Sequence, residues 1–182
     1  RAAQYAKAAP AGRSDAARKQ AEAAQARLLA MLGRDKGERV AKIRDEMHEA
    51  METGVGIYRK GADMQTACRK LAALRDRYRA GIKLDDRNRA FNTEWLTAIE
   101  LGFTLEIAEV LAQSALNRKE SRGAHTRLDE FKERDDAKYL KHTLAYRTAD
   151  GPPRLEYAPV TITKSPPKTR VYGGEGKKAV MT

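Results

Sequence analysis

Cysteine is nearly missing: Cys68 is the single thiol among 182 residues, so no disulfide can close within the chain. Nothing points to an oxidising compartment, and a reducing, cytosolic setting is the expectation. Long apolar runs are missing too. The longest, near Ala108 to Leu116, is broken by Glu109, Gln113 and Ser114 and falls far short of the roughly 20 residues a membrane-spanning helix needs. There is no Gly-rich phosphate loop, no Gly-x-Ser-x-Gly elbow and no Cys-x-x-Cys pair, which removes the common signatures of nucleotide, acyl-transfer and dithiol chemistry. No repeat of solenoid length is visible. The chain opens at Arg1 without an initiator Met or an apolar signal core, and reads as a piece of a longer polypeptide.

Positive charge is plentiful: 36 Lys and Arg face 25 Asp and Glu, a formal net charge of +11. The excess is spread along the chain, and no basic tail exists. The densest stretch, Arg69 to Arg89, has neither the aromatic repeats of an RRM nor Cys/His finger spacing, so no nucleic acid is expected. A rival reading keeps that stretch as the face of an independent basic helical module that engages nucleic acid or an acidic protein; steep weakening by salt would identify it. With 41% hydrophobic and 34% charged residues a modest core is expected, and the length suits one domain, or one domain plus an appendage.

The patterning predicts a mainly α protein. Residues 1–13, rich in Ala, Gly and Arg with Pro10, read as a linker. From Ser14 to Leu32, Ala17, Ala21, Ala24, Leu28 and Met31 fall on one helical face, and Gly33 stops the helix. Asp35 and Glu38 have the spacing of a capping box for a second helix, whose face carries Val40, Ile43, Met47, Ala50 and Met51 and which ends near Gly54 and Gly56. Met64, Ala67, Leu71, Leu74 and Tyr78 form the seam of a third, closed by Gly81. Asn92 is a candidate N-cap for the longest helix. That helix has two stripes, one through Leu96, Ile99, Phe103, Ile107, Val110 and Ser114, the other through Leu101, Leu105, Ala108, Ala112 and Ala115. Two stripes predict a helix at the centre of a bundle. The bundle is assigned to 14–123 and a C-terminal extension to 124–182, in which Thr143–Arg147 and Leu155–Thr163, either side of an Asp150-Gly151-Pro152-Pro153 turn, read as a hairpin or two short strands, followed by a flexible tail.

Few residues invite chemistry. His48 lacks a second His at i+4, so a solvated helix face is expected rather than a zinc ligand. His142 is expected to make a structural hydrogen bond, and Cys68 to pack at the edge of the core. No catalytic, cofactor-binding or metal-binding residue is assigned. The stretch Arg118-Lys119-Glu120-Ser121-Arg122-Gly123-Ala124-His125-Thr126-Arg127 differs, because it gathers cations around a glycine where the long helix must end. Two readings compete: an anion-binding edge, or an interdomain anchor in which arginines meet carboxylates and carbonyls. The lack of an accompanying base or nucleophile favours the anchor, with Arg118, Arg122, His125 and Arg127 as interdomain or subunit contacts. A dicarboxylate site at Arg122 and Arg127 is the third possibility.

Phe91-Asn92-Thr93, Glu100-Leu101-Gly102, Ala108-Glu109, Ser114-Ala115, Arg118 to His125, Glu133-Arg134-Asp135-Asp136, Leu140-Lys141-His142-Thr143-Leu144 and Arg154-Leu155-Glu156-Tyr157 together resemble the C-terminal part of the succinate dehydrogenase and fumarate reductase flavoprotein subunit. Lys42 to Met47, Gly56-Ile57-Tyr58-Arg59 and Arg170-Val171-Tyr172-Gly173-Gly174-Glu175 look more like the bacterial quinol:fumarate reductase branch. The resemblance runs from about Ser14 to Glu175; Glu130-Phe131-Lys132 falls in a stretch that varies in the family. It implies an antiparallel, spectrin-like three-helix bundle with an extra N-terminal helix and an irregular C-terminal segment. It also implies a parent oxidoreductase that carries covalent FAD, interconverts fumarate and succinate, exchanges electrons with an iron-sulfur subunit and meets membrane anchors indirectly. The parent would lie on the cytoplasmic face of the inner membrane. The flavin fingerprint, the flavin-linking His and the dicarboxylate-binding residues belong to the family's preceding domains, so this piece is expected to bind no cofactor and to be inactive alone.

Overall fold

The computed structural model describes residues 1–9 and 14–168; Pro10 and the rest of the linker assignment through Arg13, the Arg170–Glu175 motif and the tail lie outside the described residues. The protein is mainly helical. A short helix α1 (Ala2–Ala8), where a linker was expected, buries none of its residues. It is followed by α2 (Ser14–Leu32), α3 (Val40–Val55), α4 (Gly61–Ala80) and α5 (Thr93–Asn117).

Short strands fix how the helices run. Glu38–Arg39 (β1), at the start of α3, pairs in parallel with Ile82–Lys83 (β3), which follows the end of α4. Tyr58–Arg59 (β2), between α3 and α4, pairs in parallel with Thr126–Arg127 (β4), beyond the end of α5. The end of α3, the start of α4 and the end of α5 therefore share one end of the bundle, and α4 runs antiparallel to the other two. Ile43, Met64, Leu71 and Leu105, all at most 1% exposed, fill the centre. Truncating such a residue to Ala costs about 2–5 kcal/mol. Gly54 lets α3 and α4 close up, because a Cβ there would sit 2.6 Å from the Ala67 Cβ and 2.8 Å from the Asp63 carbonyl oxygen.

Polar ties supplement the core. At the β1/β3 end, Arg77 of α4 binds the carboxylates of Glu38 and Glu46. The expected capping box is absent for that reason: Glu38 faces Arg77, Asp35 pairs with Arg87, and the α3 N-cap is Arg39 with no side-chain bond. Asn92 does cap α5, its Oδ1 accepting from the Trp95 amide at 2.7 Å, and the Trp95 indole donates to the Leu28 carbonyl of α2 at 3.1 Å. The two stripes of α5 fare differently. Leu101, Leu105, Ala108, Ala112 and Ala115 are buried, whereas Leu96, Phe103 and Ile107 are 54%, 59% and 61% exposed, so α5 is covered on one side only.

Beyond α5 a tight turn leads through β4 to one short helix, α6 (Asp136–Tyr139), where irregular sequence was expected. Then β5 (Lys141–Tyr146) and β6 (Arg154–Pro159) form an antiparallel hairpin in which Lys141 lies opposite Pro159 and Tyr146 opposite Arg154. Proline ends the strand, since it has no amide to continue the ladder. The hairpin is tied to the bundle by Arg75 of α4, whose Nη1 donates both to Glu109 of α5 and to the Gly151 carbonyl at 2.9 Å.

Candidate docking edge at the end of the long helix

The segment after α5 turns on Gly123, whose φ of +59° is open to glycine at little cost. Arg122 and His125 exchange backbone hydrogen bonds of 2.9 and 3.0 Å across it. Glycine at the first central position is what a type II′ turn requires. The turn then runs into β4, where the amides of Thr126 and Leu128 donate to the carbonyls of Ile57 and Arg59 and fasten it to the α3–α4 connection.

Its centre is Glu120, which is 0% exposed. The carboxylate accepts from Arg118 Nη1 at 2.6 Å, from Arg122 Nε and Nη2 at 2.8 and 3.0 Å, and from the Asp135 amide at 2.9 Å. Burial pushes its pKa up, but the bonds from Arg122, the Asp135 amide and Arg118 outweigh burial and hold it below the ordinary glutamate value. Arg122 also reaches Asp136 Oδ1 at 2.6 Å. Arg118 donates onward to the carbonyls of Tyr139 and Lys141 and to Thr143 Oγ1, at 2.8 to 3.0 Å. One arginine thereby links the end of α5 to α6 and β5.

Arg127, 3% exposed, forms a second closed pair: Nε and Nη2 hold Asp129 at 3.0 and 2.6 Å, and the guanidinium lies over the Phe131 ring at 5.0 Å. Asp129 Oδ2 also accepts from the Gly61 amide at 2.8 Å, at the start of α4, where the helix dipole favours an anion. His125 is the third fastening. Arg59 Nη1 donates to its Nδ1 at 2.7 Å, which leaves the proton on Nε2, 3.1 Å from the Arg118 carbonyl. Burial lowers its pKa; the Arg118 carbonyl opposes this, while the charges of Arg59, Arg127 and Arg118 add to it, so the ring is neutral near pH 7.

The four residues singled out in the sequence are therefore brought together, and each is engaged by this chain's own groups. Both ring nitrogens of His125 are taken, so it has no lone pair free to act as a base. A dicarboxylate or a flavin pyrophosphate would have to displace Glu120, Asp129 and Asp136. The turn does not fit either group, and what it offers is a rigid edge. Its outer face carries exposed Gly123 and Ala124, beside Ile57, Tyr58 and Leu128, which are 62%, 70% and 46% exposed.

Sequence reasoning passed over Glu120, Asp129 and Arg59. The alternation Arg118-x-Glu120-x-Arg122, echoed by Arg127-x-Asp129, was the available signal. Elsewhere, His48 is exposed and Cys68 is buried. His142 departs from expectation: it is exposed on β5, opposite Ala158, and among the described residues its ring makes no hydrogen bond. The basic Arg69–Arg89 stretch is partly paired within the chain: Arg75 with Glu109 in a largely buried pair, Arg77 with Glu38 and Glu46 in a half-buried one, and Arg87 with Asp35 at the surface. Among the described residues no cluster of three His, Cys, Asp or Glu could hold a metal, and no helix is long and apolar enough to cross a membrane.

Comparison with known proteins bears on this architecture. Residues 44–172 match the family described as fumarate reductase flavoprotein C-term. The chain is 52% identical over 176 residues to the fumarate reductase flavoprotein subunit of Escherichia coli (strain K12), covering 95% of this chain and 29% of that one. Identity to the succinate dehydrogenase flavoprotein subunit of Coxiella burnetii is lower, 39% over 154 residues, covering 82% and 25%. A solved structure of E. coli quinol fumarate reductase superposes with a TM-score of 0.86 at 51% identity, covering 94% of this chain and 29% of that one. The chain spans less than a third of the length of these relatives.

Proposed function

Because the chain belongs to the fumarate reductase flavoprotein C-terminal family, we propose that it is the helical docking region of a longer flavoprotein subunit and supplies no catalytic group of its own. That subunit interconverts fumarate and succinate. FAD, held covalently by the domain that precedes this one, supplies its redox chemistry, and an iron-sulfur subunit carries the electrons to or from quinone-binding membrane anchors. The subunit itself lies peripherally on the cytoplasmic face of the inner membrane.

The observation that carries this reading is the closed state of the arginine turn. Arg118, Arg122 and Arg127 are bound to Glu120, Asp136 and Asp129, and His125 to Arg59. Such a turn holds a shape, and its three arginines are committed to this chain's own carboxylates rather than left for a substrate. Arg118, Arg122, His125 and Arg127 accordingly act as contact residues by building the edge that meets the preceding domain or the iron-sulfur subunit. The exposed tip at Gly123–Ala124 and the neighbouring Tyr58 and Leu128 make the touch.

Arg122→Ala in the full-length subunit tests it. The expected result is reduced flavin content and reduced recovery of the iron-sulfur subunit, with fumarate reduction falling in proportion to the assembled complex. Flavin content, assembly and turnover all equal to wild type would refute the contact role.

A further inference from the structure

The outer stripe of α5 forms the floor of a groove. Phe103 and Ile99 meet Leu28 and Met31 of α2 around a hollow of about 560 Å³, which continues past Phe103 and Ile107 into a second of about 340 Å³ beside the β5–β6 hairpin. Five arginines edge the two hollows, with Glu106 and Glu109 as the carboxylates. Those carboxylates are already neutralised, Glu106 by Arg147 and Glu109 by Arg75, each at 2.7 Å. Arg27, Arg34 and Arg79 remain, and among the described residues none has a carboxylate within 4.0 Å. The groove is thus an apolar floor with three uncompensated positive charges on its rim.

That combination selects its occupant. A wholly apolar partner would desolvate three guanidinium groups without pairing them, which is costly. A second copy of a chain with net charge +11 would set arginine against arginine. An amphipathic segment with an apolar face and flanking carboxylates satisfies both the floor and the rim. The surface is small beside the roughly 1,200–2,000 Å² buried when separate proteins associate stably. It suits a segment on the same polypeptide, for which tethering raises the effective concentration. Relatives more than three times as long as this chain have polypeptide to supply it.

We propose that this groove seats an acidic, apolar-faced segment from the part of the full-length subunit that lies outside the present chain. The inference rests on the family-based reading above and adds to it a second docking surface, away from the arginine turn, with a defined chemistry.

The test uses the assembled complex carrying Arg79→Lys in the full-length subunit. A water-soluble carbodiimide condenses the new amine with a carboxylate in contact, forming an amide while the reagent takes up the water as its urea, and peptide mass spectrometry locates the link. The expected product joins position 79 to an Asp or Glu in the preceding part of the same polypeptide. In the wild-type complex, Arg79 is expected to react with phenylglyoxal several-fold more slowly than exposed Arg69 on the same helix. A link only to the iron-sulfur subunit, a link only to a second copy, or no link together with equal arginine reactivity would overturn the proposal. Covalent flavin and co-purifying iron-sulfur subunit, measured in the same preparation, score the broader reading separately. Both present, with no link and with Arg79 as reactive as Arg69, defeats the groove alone, whereas absence of flavin defeats the broader reading whatever the link shows.

Discussion

Glu120→Ala is the sharpest perturbation of the arginine turn. It removes an acceptor that is 0% exposed and takes hydrogen bonds from Arg118, from Arg122 twice and from the Asp135 amide. Breaking a wholly buried ion pair on one side costs about 3–5 kcal/mol. Here the stranded cations have relief: Arg122 keeps Asp136, Arg118 keeps two carbonyls and Thr143, and their side chains are 26% and 16% exposed. The expected loss is therefore about 2–4 kcal/mol, at the lower side of that range. If the chain unfolds as one unit, 3 kcal/mol corresponds to a fall in Tm of about 6–12 °C for a domain of this size. Amide exchange adds the location. The amides of Ser121, Thr126 and Leu128, which bond across the turn to Glu133, Ile57 and Arg59, should lose protection before those of the α3–α5 core. A loss below about 1 kcal/mol, or exchange that rises equally throughout the bundle, would refute the view that Glu120 is the centre of this fastening.

Three further outcomes follow from the same geometry. The fold favours neutral His125, whose pKa lies below the ordinary 6.5, so its contribution is present above pH 6.5 and is lost as pH falls from there toward the folded value. A ring-proton NMR titration should give a midpoint under 6.5, and His125→Gln should flatten the stability change between pH 7 and 5; a midpoint at or above 6.5 would contradict the bond from Arg59. Glu38 has the opposite charge and the same sign of dependence: Arg77 lowers its pKa from 4.5 to about 2, so its stabilisation holds above 4.5 and disappears as pH falls through about 2. Glu38→Gln should give a shallower acid limb in urea denaturation over that window, and an unchanged limb would count against the tie. Gly54→Ala forces a Cβ to within 2.8 Å of the backbone oxygen of Asp63, which a rotamer change cannot relieve; about 1–3 kcal/mol of destabilisation is expected as a lower urea midpoint, and a neutral substitution would mean that the helices separate freely.

The helices were legible because their signals are local. Apolar spacing marked α2 to α5, Asn92 announced the start of α5, and Gly81 the end of α4. The capping box failed because a residue 39 positions away, Arg77, takes the Glu38 carboxylate, and a guanidinium binds it more strongly than a backbone amide does. The same limit applied to the arginine turn. Its cations stood out in one stretch of sequence, but what decides their role is closure by Arg59, 66 positions from His125, and by the Gly61 amide, 68 from Asp129. Spacing can nominate charged residues, and only the folded chain tells whether their partners are internal.

The outer stripe of α5 carries this argument one step further. Its periodicity is that of a buried face, yet Leu96, Phe103 and Ile107 stand more than half exposed. Apolar spacing records what a surface is selected to meet, without regard to which part of a protein meets it. Isolated exposed apolar side chains are ordinary, but a run of them on one helix beside three uncompensated arginines is the mark of a face made for a partner. The inner stripe built this bundle from its own residues. The outer stripe, on a chain less than a third the length of its relatives, is where the larger protein is expected to close over it.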